Sequence, residues 1–110
     1  MKELVPDALL EHVARRFRVL GDASRLAIVR FLLVRGEANV GEVVEALAMS
    51  QANVSKHLRT LLDAGVVVRR QEGTSAYYAV ADGSVEQLCS IVCDRIQEQA
   101  RLDSVALGLR

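Results

Sequence analysis

Two sets of side chains in this sequence have the types and spacing to do chemistry. The first lies in Ser50 to Gly65, SQANVSKHLRTLLDAG, where Gln51, Asn53, Ser55, Lys56 and Arg59 stand apart from the apolar positions. Amides, a hydroxyl and cations of modest reach can bond base edges and neutralise phosphates, and a helix fits the major groove of B-form DNA. The second set is Cys89 and Cys93, four residues apart. On a helix that spacing puts both thiols on neighbouring turns of one side. There they can share a thiophilic metal or metalloid, undergo oxidation or persulfide bridging, or pack as small apolar groups. A direct disulfide would strain the helix, because the two Cβ vectors run side by side.

The first set needs an anchored helix with defined ends. Ser50 is an N-cap residue, Gly65 suits the left-handed position after the last turn, and Val54, Leu58, Leu61 and Leu62 recur as one buried stripe. Upstream, Asn39 followed three residues later by Glu42 is a capping-box pattern, with Val40, Val43, Val44 and Leu47 as the apolar side of a shorter helix. Only Ala48 and Met49 separate the two, which makes them a helix-turn-helix. After Gly65 the period becomes extended. Val66, Val67 and Val68 are answered by Tyr77, Tyr78 and Val80 across a turn at Gly73 and Thr74. A two-stranded hairpin is not stable alone, so this one must pack on the helices as a wing. Its outer half carries Arg69 and Arg70, placed to approach a DNA backbone or minor groove.

The remaining elements are scaffolding. Residues 7–20 carry Leu9, Leu10, Val13, Phe17 and Leu20 on one helical stripe, opened by Asp7 and closed by Gly21. Asp22 caps a second helix running to about Val34, which Gly36 stops. A last helix, 84–105, has Val85, Leu88, Cys89, Val92 and Ile96 along one side and no partner left over in so small a chain. Two terminal helices with surplus apolar stripes imply a twofold dimer interface, which is where the thiols would lie. The expected fold is mainly α with a small β-hairpin: one winged helix-turn-helix domain spanning residues 1–110.

Composition narrows the function classes. The 110 residues are 51% hydrophobic but only 4% aromatic and lack tryptophan, so the core is built from Val, Leu, Ile and Ala, as suits packed helices. The net charge is zero, so any basic patch is local. From Gln51 to Glu72, Lys56, Arg59, Arg69 and Arg70 outnumber Asp63 and Glu72. No apolar run approaches a membrane span, and Met1 to Leu20 is charged throughout, unlike a signal peptide; the expectation is a cytoplasmic protein with reduced cysteines and no membrane partner. An enzyme is disfavoured. We find no nucleophile–base pair or phosphate loop, and C-x-x-x-C late in the chain is not the C-x-x-C that opens a helix in thiol oxidoreductases.

Three strings together resemble the ArsR/SmtB family of winged helix-turn-helix repressors: RVLGDASRLAIVRFL at 18–32, MSQANVSKHLRTLLDAGVVVRRQEG at 49–73 and AYYAV at 76–80. The resemblance implies a homodimer that sits on an inverted-repeat, double-stranded DNA operator and leaves when an inducer binds elsewhere on the dimer. It places DNA-reading roles on Ser50, Gln51, Asn53, Ser55, Lys56, His57 and Arg59, with Arg69 and Arg70 on the wing. His57 borders the buried stripe, so a packing or phosphate-contacting imidazole fits it better than a base reader or metal ligand.

Some positions depart from the family pattern. Thr74 and Ser75 stand where a basic residue commonly follows the turn glycine. Glu42, Val43, Val44 and Glu45 occupy the place of the cysteine pair common in the family's arsenite and cadmium sensors. Asp94 and Glu98 are present on the last helix, but no histidine follows Leu58, which argues against a nitrogen-rich zinc site. The expected inducer is therefore thiol-reactive: arsenite or Zn(II) held by Cys89 and Cys93 with thiols of the second subunit or nearby residues completing the shell, or an oxidant or reactive sulfur species. His12 could approach the thiols if the terminal helices pack together. The competing reading is a winged-helix dimer without a cysteine sensor, responding to another ligand or to a protein partner.

Overall fold

A computed structural model of the chain describes residues 4–108. A 3₁₀ turn, Asp7–Leu9, leads into α1 (Leu10–Leu20). Then come α2 (Ala23–Arg35), α3 (Val40–Leu47), α4 (Gln51–Asp63), the strands β1 (Val67–Glu72) and β2 (Ser75–Val80), and α5 (Gly83–Ala106). This is the winged helix-turn-helix order anticipated above.

The helix ends follow the sequence signals at most positions. Asp22 accepts from the Arg25 N–H at 2.9 Å, Ser50 accepts from the Asn53 N–H at 3.1 Å, and Asn39 and Glu42 form a reciprocal capping box. Each cap satisfies amides that a helix start leaves without intrahelical partners. Gly36 and Gly65 both take positive φ, 95° and 76°, where a Cβ would be strained.

Three boundaries differ from expectation. The first turn of residues 7–20 is 3₁₀ rather than α, because the chain enters it directly after Pro6 with no side-chain cap. Gly21 ends α1 at φ −78°, so left-handed freedom is not its role; a Cβ there would lie 3.1 Å from the Phe17 carbonyl oxygen. The last helix starts one residue earlier than expected, capped by Asp82, whose carboxylate accepts from the Ser84 N–H at 2.8 Å.

The strands pair antiparallel in the register Val67↔Val80 through Glu72↔Ser75, so the turn is at Gly73–Thr74. Val66 precedes the first strand but is fully buried. Ala38 adds itself to the outer side of β2 through a reciprocal pair of bonds with Tyr78, 3.0 and 2.8 Å, which makes a one-residue third strand.

The core is a continuous cluster in which Ile28, Leu32, Val43, Val54, Leu58, Leu61, Val66 and Val67 meet. It seals α2, α3, α4 and the base of the wing against one another. The terminal helices do not close in this way. Of the stripe read on residues 7–20, only Leu20 is buried, while Leu9, Leu10 and Phe17 stand open. On α5 only Val85 is buried; Ile91, Val92 and Ile96 are exposed. The radius of gyration is 17.0 Å, against about 13 Å for a compact chain of this length, because α5 projects from the body. No described helix is long and apolar enough to cross a membrane.

Candidate nucleic-acid interface

The α4 helix is held from three sides. Val54, Leu58 and Leu61 are wholly buried in the core. At its C-terminal end Arg16 of α1 donates to the Ala64 carbonyl at 3.0 Å, capping a helix end that otherwise leaves carbonyls free. Near its middle, His57 Nδ1 lies 3.5 Å from the Arg25 guanidinium, which also donates to the Val19 carbonyl at 2.6 Å. His57 is half-buried against α2 and so stands apart from the open face of the helix.

What remains outside is the polar set. Ser50, Gln51, Asn53, Ser55, Lys56 and Arg59 are all exposed. Ser50, Gln51 and Asn53 cluster at the N-terminal turn, whose partial positive charge favours phosphate. Arg59 makes an i,i+4 pair with Asp63 at 3.2 Å, but the arginine side chain is 77% exposed, so the pair is a weak restraint that a phosphate can replace.

The wing separates its two arginines. Arg69 donates to the Gln71 amide oxygen at 2.7 Å. Arg70 donates to both oxygens of Glu37, at 2.7 and 3.3 Å, and to Glu72 at 2.7 Å, while its guanidinium carbon lies 5.0 Å from the Tyr77 ring centroid. The Glu37 carboxyl is held below its ordinary range, first by the hydrogen bond from Arg70, and Arg70 is shifted upward by Glu37 and then Glu72. Arg69 thus has one neutral partner on its own strand, while Arg70 sits in an ion-pair cluster.

Cys89 is half-buried at the edge of the core and Cys93 is exposed. Both open on a groove of about 920 Å³ between α1–α2 on one side and α5 on the other, walled by Phe17, Leu20, Leu26, Leu33, Val92 and Ile96. Asp94 lies on the same groove. His12 does not; it lines a separate hollow of about 230 Å³ with Leu9, Val13 and Leu88. Among the described residues no three His, Cys, Asp or Glu side chains converge as a metal site.

Sequence reasoning missed Arg16, Arg25 and Glu37. Their partners are 48, 32 and 33 residues away, so no local pattern marks them.

Comparison with known proteins fits this geometry. Residues 22–68, from the cap of α2 into the first strand, match the family described as bacterial regulatory protein, arsR family. The chain is 39% identical to the probable mercury resistance operon repressor of Streptomyces lividans over 90% of its own length and 79% of that protein. It is 35% identical to the arsenical resistance operon repressor of Bacillus subtilis, over 76% and 84% of the two chains. Among solved structures it is similar to the homodimeric winged helix-turn-helix DNA-binding domain of a possible ArsR-family transcriptional regulator from Mycobacterium bovis. There the TM-score is 0.75 at 33% identity, covering 89% of this chain and 92% of that one. With the helix-turn-helix matched, relatives alike along most of their length and the winged fold shared, the chain belongs to the ArsR/SmtB family, whose members are DNA-binding transcriptional repressors and not enzymes.

Proposed function

We propose that the chain acts as a homodimeric repressor that sets the α4 of each protomer in a major groove of an inverted-repeat operator, and that a thiol-reactive inducer at Cys89 and Cys93 releases it. The observation that carries the DNA half is the division of α4. Val54, Leu58 and Leu61 have no solvent exposure, while Gln51, Asn53, Ser55, Lys56 and Arg59 all face outward. Ser50 and Asn53 at the helix start suit backbone phosphates; Gln51, Ser55, Lys56 and Arg59 suit base edges and phosphates further along. The similar M. bovis domain is homodimeric, and the open apolar faces of α1 and α5 are what a second copy would cover.

The sensor half rests on the groove. Cys89 and Cys93 are the cysteines of the chain and both are reachable from it. Two thiolates of one protomer suffice for a linear soft ion such as Hg(II), whereas arsenite and Zn(II) require further donors, which the second protomer's thiols would supply. The relatives named for mercury and arsenical resistance support this chemistry. An inducer that favours the DNA-incompetent arrangement by about 1–3 kcal/mol would weaken operator binding about 5- to 150-fold.

The test is fluorescence anisotropy of a labelled fragment from the gene's own upstream region, titrated with reduced protein and challenged with Hg(II), arsenite, Zn(II) and an organic polysulfide. Cys89→Ser with Cys93→Ser is expected to bind the fragment like wild type and to ignore the agent that releases wild type. Release of the double variant by that agent refutes the thiol sensor. Wild-type binding indifferent to all four agents returns the cysteines to packing, a role the half-burial of Cys89 already suits.

A further inference from the structure

Arg69 and Arg70 are neighbours in sequence but stand on opposite faces of the wing. Directly paired residues share a face, so Val67, Arg69 and Gln71 lie with Val80, Tyr78 and Ala76, and Val68, Arg70 and Glu72 lie with Ala79, Tyr77 and Ser75. Arg69 bonds one neutral acceptor, Gln71, two residues away on its own strand. Arg70 is bound differently. From β1 it passes over Tyr77 of β2 and reaches Glu37, which directly precedes Ala38, the one-residue strand bonded to Tyr78. It thus crosses the whole ladder, from its first strand to its third.

Charge makes the same distinction. One arginine against Glu37 and Glu72 leaves this cluster one unit negative. A phosphate approaching it would have to displace a two-point carboxylate pairing and leave two carboxylates without their cation. On the other face Arg69 bonds only the neutral Gln71 amide and pairs with no carboxylate among the described residues. We propose that Arg70 is a positioning residue that straps the wing to the segment leading into α3, and that Arg69 is the wing arginine that takes a phosphate. The strap joins the wing to the helix-turn-helix two residues before the Asn39 cap, so wing and α4 meet the duplex as one body. The phosphate role of Arg69 rests on the DNA-binding reading above; the strap does not.

Two measurements on the full chain test this. The first is hydrogen exchange at the Ala38 and Tyr78 amides without DNA, since those amides hold the third strand to β2. Glu37→Gln and Arg70→Gln should each raise exchange there severalfold, Arg69→Gln should not, and the charge swap Glu37→Arg with Arg70→Glu should restore protection. The second is the salt dependence of binding to the labelled upstream fragment. Each phosphate that the protein ceases to neutralise lowers the slope of log affinity against log salt by about 0.9, so Arg69→Gln should flatten it by about 1.8 for a dimer. The charge swap should keep the wild-type slope. Glu37→Gln that leaves the two amides protected and makes binding tighter and steeper in salt would overturn the proposal, because Arg70 would then be a phosphate ligand restrained by Glu37. A wild-type chain that fails to bind the fragment would count against the DNA-binding reading, and with it the role of Arg69, while the exchange measurements still decide the strap.

Discussion

Around α4 the apolar side chains are sealed, and along α5 they are not. Val54, Leu58 and Leu61 have no exposure, while Val92 and Ile96 keep 49% and 63% of theirs. Both helices carry an apolar stripe; they differ in the supply of neighbours. The α4 stripe meets α2, α3 and β1, whereas α5 runs about 36 Å and passes beyond the body that could cover it. The reading half of the molecule is complete within one chain. The α5 half leaves Ile91, Val92, Ile96, Leu102 and Val105 with 43–67% of their exposure, so covering each would contribute roughly half to two-thirds of the 1.5–3 kcal/mol of a full burial, about 1–2 kcal/mol. Stability of the fold and assembly of the proposed dimer should therefore respond to different substitutions.

The sharpest way to break that contrast is to cut into each half. Leu58→Ala removes a side chain with no exposure and should destabilise the fold by about 2–5 kcal/mol, read as a lower urea midpoint. A decrease smaller than about 1 kcal/mol would mean that the reading core is loosely packed. Ile96→Asp should do the reverse. It leaves the core intact, so helical content should survive, but a charge on the open face should hold the chain as a monomer in sedimentation. With avidity gone, affinity for the labelled upstream fragment should fall by about 100-fold. A variant that remains dimeric would place the interface elsewhere.

The two halves were also unequally legible in the sequence. In the reading half the signals are local: Ser50, Asn39 with Glu42, Gly65 and the Gly73–Thr74 turn each act within four residues, and each sits where its chemistry requires. The stripe of α4 was legible because its partners are the neighbouring elements. What could not be read is what spans distance. Arg16 on the Ala64 carbonyl and Arg70 on Glu37 join residues 48 and 33 apart. The third strand is a single residue, Ala38, too short to show any alternation. At the site, the open face of α4 was legible from its period, and the separation of Arg69 from Arg70 was not, because only the register shows which face meets Glu37. Along α5 the sequence showed which side is apolar, but period alone cannot say whether a face is covered from within the chain.

One residue of the reading half departs from its otherwise unstrained geometry and offers the finest test of how complete it is. Ala48, in the turn between α3 and α4, adopts φ 53°, ψ 38°, the left-handed conformation, and is exposed. For a residue with a Cβ this costs about 1–2 kcal/mol. Glycine removes that cost but adds freedom to the unfolded chain, which returns about 0.4–1 kcal/mol of the gain. Ala48→Gly should thus stabilise the protein by a few tenths to about 1 kcal/mol, raising the urea midpoint while leaving affinity for the upstream fragment unchanged. Ala48→Val should lower the midpoint, since a β-branched side chain fits this conformation less well than alanine. If glycine instead destabilises, the methyl group of Ala48 contributes packing that outweighs its backbone strain, and the turn is part of the sealed core rather than its hinge.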